Sequence, residues 1–147
     1  MEIRSLYSQY LKKNGLRDSA QRRKVFEVFL SLGSHVSLDD IYREAKKRHP
    51  EIGYATIYRT LKILCDAGIC SEVVFEDGSV RYEVSAKKGH HDHLVCIECG
   101  LVKEFYNNEI EALQNNIAKK YGFELKDHKL ILYGLCSRCS KKSQKKE

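Results

Sequence analysis

Apolar residues recur at three- and four-residue intervals through the first half of the chain, and this period predicts four helices. Ile3, Leu6, Tyr7, Tyr10 and Leu11 mark the first, over residues 1–14, which Asn14-Gly15 stops. Asp18 or Ser19 caps the second, whose stripe of Val25, Phe26, Phe29, Leu30 and Leu32 runs to Gly33. Ser37 caps the third, with Asp40 at the capping-box position and Leu38, Ile41, Tyr42 and Ala45 facing inward; Pro50 closes it. The fourth spans about 54–67 and buries Ile57, Leu61 and Leu64, which leaves Ala55, Tyr58, Arg59 and Lys62 on or near its open side beside Thr56.

The period then changes to that of strands. Two β-rich runs, 69–75 and 80–84, flank Glu76-Asp77-Gly78-Ser79, a strong hairpin signal. Helices followed by a hairpin are the order of a winged helix-turn-helix domain, assigned to residues 1–84. Cys65 and Cys70 inside it read as small buried core residues, with a metal or redox role as the other reading. Ser85–Gly89 (SAKKG) is polar enough for a hinge between domains. Strands through 94–96 and at 101–105 follow, then a helix over about 108–121 with a stripe of Ile110, Leu113, Ile117 and Tyr121. Phe123–Leu125 is a further pairing segment. Lys129–Leu135 is almost continuously apolar, which predicts a strand covered on both faces. The fold class is thus α+β: the winged helix, then a small α/β domain over 90–140 and a solvated basic tail over 141–147. An α/β unit of that size needs support from metal or from a second copy.

Composition narrows the class of protein. The chain has 147 residues, 42% hydrophobic and 31% charged, with one proline, as expected of a globular chain. No run of eighteen apolar residues and no signal-peptide core occurs, so a cytoplasmic protein without a membrane partner is expected. The net charge of +6 favours a polyanionic partner.

The chemistry gathers in His90–Gly100, H-H-D-H-L-V-C-I-E-C-G. Cys96 and Cys99 form a C-x-x-C pair, and Cys136 and Cys139 form a second. Two such pairs suit a closed tetrahedral zinc site with Zn–S bonds of ~2.3 Å; a disulfide pair and a redox C-x-x-C are the alternatives. If His90–His93 enters a strand, His90 and Asp92 face one way, and His91 and His93 the other. One strand then feeds two further sites of imidazole and carboxylate, which admit iron(II), manganese(II), cobalt(II) or zinc; a solvated histidine cluster is the other reading. Glu83, Glu104, Glu111, His35 and His128 are acid and imidazole groups available to complete them. A site using His35, Glu83 and His93 would cross the hinge and fix the two domains in one orientation. His49 reads as a surface residue. On the fourth helix, Arg59 suits guanine or phosphate, Ala55 and Tyr58 suit thymine methyls, and Arg17, Arg22, Arg23, Arg43 and Lys62 suit phosphates or the minor groove. H-E-x-x-H, nucleophile motifs and a Gly-rich phosphate loop are all missing, so an enzyme is not expected.

The chain resembles the bacterial ferric uptake regulator family across essentially all of residues 1–140. The matching stretches are G-L-R at Gly15–Arg17, H-V-S at His35–Ser37, Y-A-T-I-Y-R-T-L at Tyr54–Leu61, R-Y-E at Arg81–Glu83 and His90–Gly100. They continue with E-F at Glu104–Phe105, E-I-E-A-L at Glu109–Leu113, D-H at Asp127–His128 and Y-G-L-C-x-x-C at Tyr133–Cys139. The resemblance implies structural Zn(II) on Cys96, Cys99, Cys136 and Cys139. It implies a regulatory site for Fe(II), with Mn(II), Co(II) or Zn(II) as surrogates, from His35, Glu83, His93 and Glu104, joined by His91. A further site comes from His90, Asp92, Glu111 and His128. Arg17, Ala55, Thr56, Tyr58, Arg59 and Lys62 fall at DNA-facing positions. A homodimer through the C-terminal domain that represses from A·T-rich palindromes of double-stranded DNA is the implied function. The family also contains peroxide, zinc, manganese and nickel sensors; Glu83 and Glu104 favour the iron branch, because peroxide sensors tend to carry aspartates there, while the ligand set is also compatible with zinc or manganese sensing.

Overall fold

The computed structural model describes residues 2–33, 35–85 and 90–145. The chain forms two compact units, Met1–Gly89 and His90–Glu147. Of the expected hinge only Ser85 is described; residues 86–89, and 146 and 147 of the tail, lie outside the described residues.

The first unit holds α1 (Ile3–Lys13), α2 (Ala20–Leu32), α3 (Leu38–Arg48), α4 (Tyr54–Asp66) and an antiparallel hairpin of β1 (Cys70–Val74) and β2 (Val80–Val84). The helical stripes meet in one core: Leu11, Val25, Phe29, Ile41, Ile57, Leu61, Leu64 and Ile69 are fully buried. Each such side chain contributes about 1.5–3 kcal/mol by leaving water. Tyr7 stacks on Phe26 with ring centroids 4.8 Å apart and ties α1 to α2. Helix starts follow local chemistry. Ser19 accepts the Arg22 amide, and Ser37 and Asp40 form a complete capping box at α3. Thr60, buried within α4, donates its hydroxyl to the Thr56 carbonyl at 2.7 Å and so costs little. At the hairpin tip Asp77 accepts the Ser79 amide at 2.8 Å, while Gly78 takes φ 85°.

One pairing joins segments far apart in sequence. Val36 and Tyr82 exchange backbone hydrogen bonds of 3.1 and 2.7 Å, which fastens the segment ahead of α3 to β2.

The second unit is a three-stranded sheet of order β4-β3-β5, built from β3 (Asp92–Cys96), β4 (Val102–Phe105) and β5 (Ile131–Gly134), with α5 (Asn108–Lys120) and α6 (Ser137–Lys145). β3 runs antiparallel to β4 and parallel to β5. Three expectations need correction. The 129–135 run is not covered on both faces: β5 is an edge strand, and Leu132, Tyr133 and Leu135 are exposed. Phe123–Leu125 forms no strand, and Phe123 is 73% exposed. Residues 141–145, exposed throughout, continue α6 and are not a separate tail, because the helix that begins at Ser137 runs on to Lys145. The α5 stripe exists but buries nothing in this chain, with Leu113, Ile117 and Tyr121 at 60, 59 and 68% exposure. Among the described residues no helix is long and apolar enough to cross a membrane.

Candidate metal centres

The four cysteines of the two C-x-x-C pairs converge at one end of the sheet. Cys96 ends β3, Cys99 lies in the turn before β4, Cys136 precedes α6 and Cys139 lies within it. Their sulfurs all lie within 4.8 Å of one another. Cys99 Sγ and Cys136 Sγ are 3.8 Å apart, the separation that two ~2.3 Å Zn–S bonds span at a tetrahedral angle. The Cys136 amide donates to Cys96 Sγ at 3.4 Å. Backbone amides of Cys99 and Cys136 aimed at this sulfur pull the Cys96 thiol down to about 6, toward the thiolate that a metal requires. Cys139, 4% exposed, is pushed up to about 12, chiefly by burial. All six cysteines are free, so no disulfide competes for the four.

The second cluster grows from the alternation of β3. His90 and Asp92 face one side, where α5 offers Glu111 and the segment before β5 offers His128. His90 Nε2 lies 2.9 Å from His128 Nε2, 3.2 Å from Asp92 Oδ1 and 3.4 Å from Glu111 Oε1. His128 Nε2 lies 3.4 Å from Asp92 Oδ1 and 3.5 Å from Glu111 Oε1. Ligands ~2.0–2.1 Å from a common centre span such distances at angles between octahedral and tetrahedral. Asp92 is only 1% exposed, and its Oδ2 has no hydrogen-bond partner. A desolvated carboxylate among imidazoles suits a divalent cation, and the donor set fits one of intermediate hardness.

Gln114 escaped the sequence reading. It follows Glu111 by one helical turn, and its buried Oε1 also lacks a hydrogen-bond partner. Only its spacing from Glu111 signalled it.

The remaining candidate ligands fall into two groups, one per unit. In the first unit the Val36–Tyr82 pairing brings His35 beside Glu83, with His35 Nε2 and Glu83 Oε2 2.9 Å apart. His35 has φ 64° and is the only non-glycine in the left-handed region among the described residues. Such a conformation costs of order 1 kcal/mol and marks functional positions. Glu83 is 3% exposed. In the second unit His93 and Glu104 sit directly opposite each other across β3 and β4. His91 joins them, its ring 5.0 Å from that of His93 and its Nε2 3.7 Å from Glu104 Oε1.

The residues expected to face nucleic acid sit elsewhere in the first unit. Ala55, Tyr58, Arg59 and Lys62 lie on the open face of α4, Tyr58 being 48% exposed, and Thr56 is half-buried beside them. Arg17 lies in the link between α1 and α2, where its carbonyl accepts the Arg22 guanidinium at 2.6 Å.

The ferric uptake regulator family matches residues 13–133 of the chain. The ferric uptake regulation protein of Neisseria meningitidis serogroup A is 44% identical over 136 residues, 92% of this chain and 94% of that one. Among solved structures, the Helicobacter pylori ferric uptake regulator, described as having three functional metal binding sites, superposes with a TM-score of 0.85. It is 32% identical and covers 95% of each chain. The ferric uptake regulator of Francisella tularensis with iron gives 0.79 at 33% identity, over 86% of this chain and 96% of that one.

Proposed function

The chain belongs to the ferric uptake regulator family, whose members are metal-responsive transcription regulators and not enzymes; on that premise we propose a metal-dependent repressor whose co-repressor is Fe(II). The observation that carries the reading is the two-sidedness of β3. β3 and the two residues ahead of it face the His90, Asp92, Glu111 and His128 cluster on one side and put His91 and His93 beside Glu104 on the other. Structural Zn(II) is assigned to Cys96, Cys99, Cys136 and Cys139.

His35 and Glu83 are half of the regulatory site, and His93 and Glu104, with His91, are the other half. A bound divalent cation would supply the positive charge that offsets the buried Glu83 carboxylate and the half-buried Glu104. The ligands do the rest: sharing one centre at ~2.0–2.2 Å, they leave the segment between the units little freedom. The protein acts in the cytoplasm as a homodimer in which the second copy covers β5 and the apolar face of α5. In that dimer the segment sets the separation of two α4 helices, which must match major grooves about 34–36 Å apart. Arg59 and Tyr58 read base edges, Ala55, Thr56 and Lys62 support them, and Arg17 reaches the backbone or minor groove.

Anaerobic fluorescence-anisotropy titration of an A·T-rich palindromic duplex and a scrambled one, with Fe(II), Mn(II), Co(II) or Zn(II) and with chelator, tests this. At least tenfold tighter binding to the palindrome with Fe(II) is expected. Equal binding in chelator overturns the proposal.

A further inference from the structure

The first unit contains a pair of thiols that no part of the metal or DNA reading uses. Cys65 lies in the last turn of α4 and is half-buried, while Cys70 opens β1 and is 3% exposed. The helix end folds them together: Gly68, at φ 76°, donates its amide to the Cys65 carbonyl at 3.0 Å, and Ile69 donates to Leu64 at 2.9 Å. The two sulfurs are 2.9 Å apart.

That distance discriminates between roles. Sulfurs sharing a tetrahedral zinc stand about 3.8 Å apart, as Cys99 and Cys136 do. A disulfide needs ~2.05 Å, and Cys65 and Cys70 reach it by closing less than about 1 Å. Their surroundings offer no third ligand: among the described residues the candidate metal groups exclude both. We propose that Cys65 and Cys70 form a peroxide-modifiable dithiol, oxidised to an intramolecular disulfide that ties the end of α4 to β1.

The two thiols take different parts. Cys70 hydrogen-bonds the Cys65 sulfur and holds the Cys65 pKa down, while Cys70 itself is pushed up by that same bond and by burial. Its one S–H proton is shared with the Leu61 carbonyl, 3.8 Å away. Cys65, the more exposed, is therefore the attacking thiolate. Its sulfur takes one oxygen from hydrogen peroxide, breaking the O–O bond and releasing hydroxide, which leaves a sulfenic acid. The Cys70 sulfur then attacks Cys65 Sγ; its proton and the departing hydroxyl leave as water. In total two thiols and one peroxide give one disulfide and two waters, and the sulfurs lose the two electrons that peroxide gains.

Trypsin places both cysteines in one peptide, Ile63–Arg81. The zinc-loaded full-length protein is treated with a few-fold excess of hydrogen peroxide, quenched, alkylated with N-ethylmaleimide in denaturant, digested and weighed. The peptide is expected to lose both maleimide additions and to weigh two hydrogens less than its dithiol form, with dithiothreitol restoring both. This is expected before zinc appears in a chromophoric chelator. In Cys70→Ser, dimedone should trap a sulfenic acid on Cys65. A peptide that keeps both free thiols while zinc is released overturns the proposal, as does Cys65 over-oxidised without a cross-link. The wild-type measurement stands without any variant.

Discussion

Asp92 separates a metal ligand from an ordinary ion-pair partner. Its carboxylate is buried, with Oδ1 within 3.4 Å of two imidazole nitrogens and Oδ2 without a hydrogen-bond partner. If Asp92 served only to pair with the exposed His90 and the half-buried His128, Asp92→Asn would break those contacts and cost up to ~3 kcal/mol without metal. If it is a ligand, the metal-free protein already bears the cost of desolvating it. The substitution is then neutral or slightly stabilising without metal. The loss appears only on loading, where an ion at a hundred times its Kd contributes ~2.7 kcal/mol to the native state. At roughly 2–4 °C per kcal/mol for a chain of this length, that increment is about 5–11 °C in Tm. Calorimetry of the zinc-loaded protein with and without Mn(II) reads both quantities. Asp92→Asn should keep its metal-free Tm and lose the Mn(II) increment. A variant destabilised by several kcal/mol without metal, with the increment intact, refutes the assignment.

Other perturbations address the zinc, the DNA face and the capping box. Cys96→Ser should release zinc and lower Tm with loss of the dimer, because folding and metal binding are coupled in small units; unchanged Tm and mass by light scattering would remove zinc from that site. Arg59→Ala should weaken palindrome binding by ~1–3 kcal/mol and flatten sequence preference, measured by anisotropy; equal loss on all duplexes makes Arg59 a phosphate contact. Ser37→Ala removes a bond to the Asp40 amide at 3.0 Å and should cost ~1 kcal/mol in urea unfolding. The Ser37 backbone N–H holds the Asp40 carboxyl below its usual value. Its share is therefore complete above about pH 4 and lost as pH falls below that; Asp40→Asn should flatten this part of the pH–stability curve.

Local rules exposed most of the fold. The capping box at Ser37 and Asp40, the Asp77-Gly78 tip and the change from helical to strand period are short-range signals, and they marked out the first unit nearly element by element. The alternation through His90–His93 anticipated which residues share a side of β3. What stayed hidden depends on contacts distant in sequence. The continuously apolar 131–134 stretch looks interior, yet it lies at a sheet edge. An apolar run does not by itself record whether the strand is interior or at an edge. The Val36–Tyr82 pairing, which seats His35 beside Glu83, has no sequence signature. The proximity of Cys65 and Cys70 likewise depends on how the chain leaves α4, and their spacing matches no familiar C-x-x-C pattern.

The central claim is that one ion shared by His35 and Glu83 with His93 and Glu104 couples metal to DNA binding. Its most direct test compares His35→Ala with His128→Ala in Fe(II) and Mn(II) titrations of palindrome binding, after both variants are shown to retain zinc and dimer. His35→Ala should abolish metal-stimulated binding, a change of up to ~5 kcal/mol for a full population shift, whereas His128→Ala should retain most of it. A His35→Ala protein that responds fully to either metal would contradict the account.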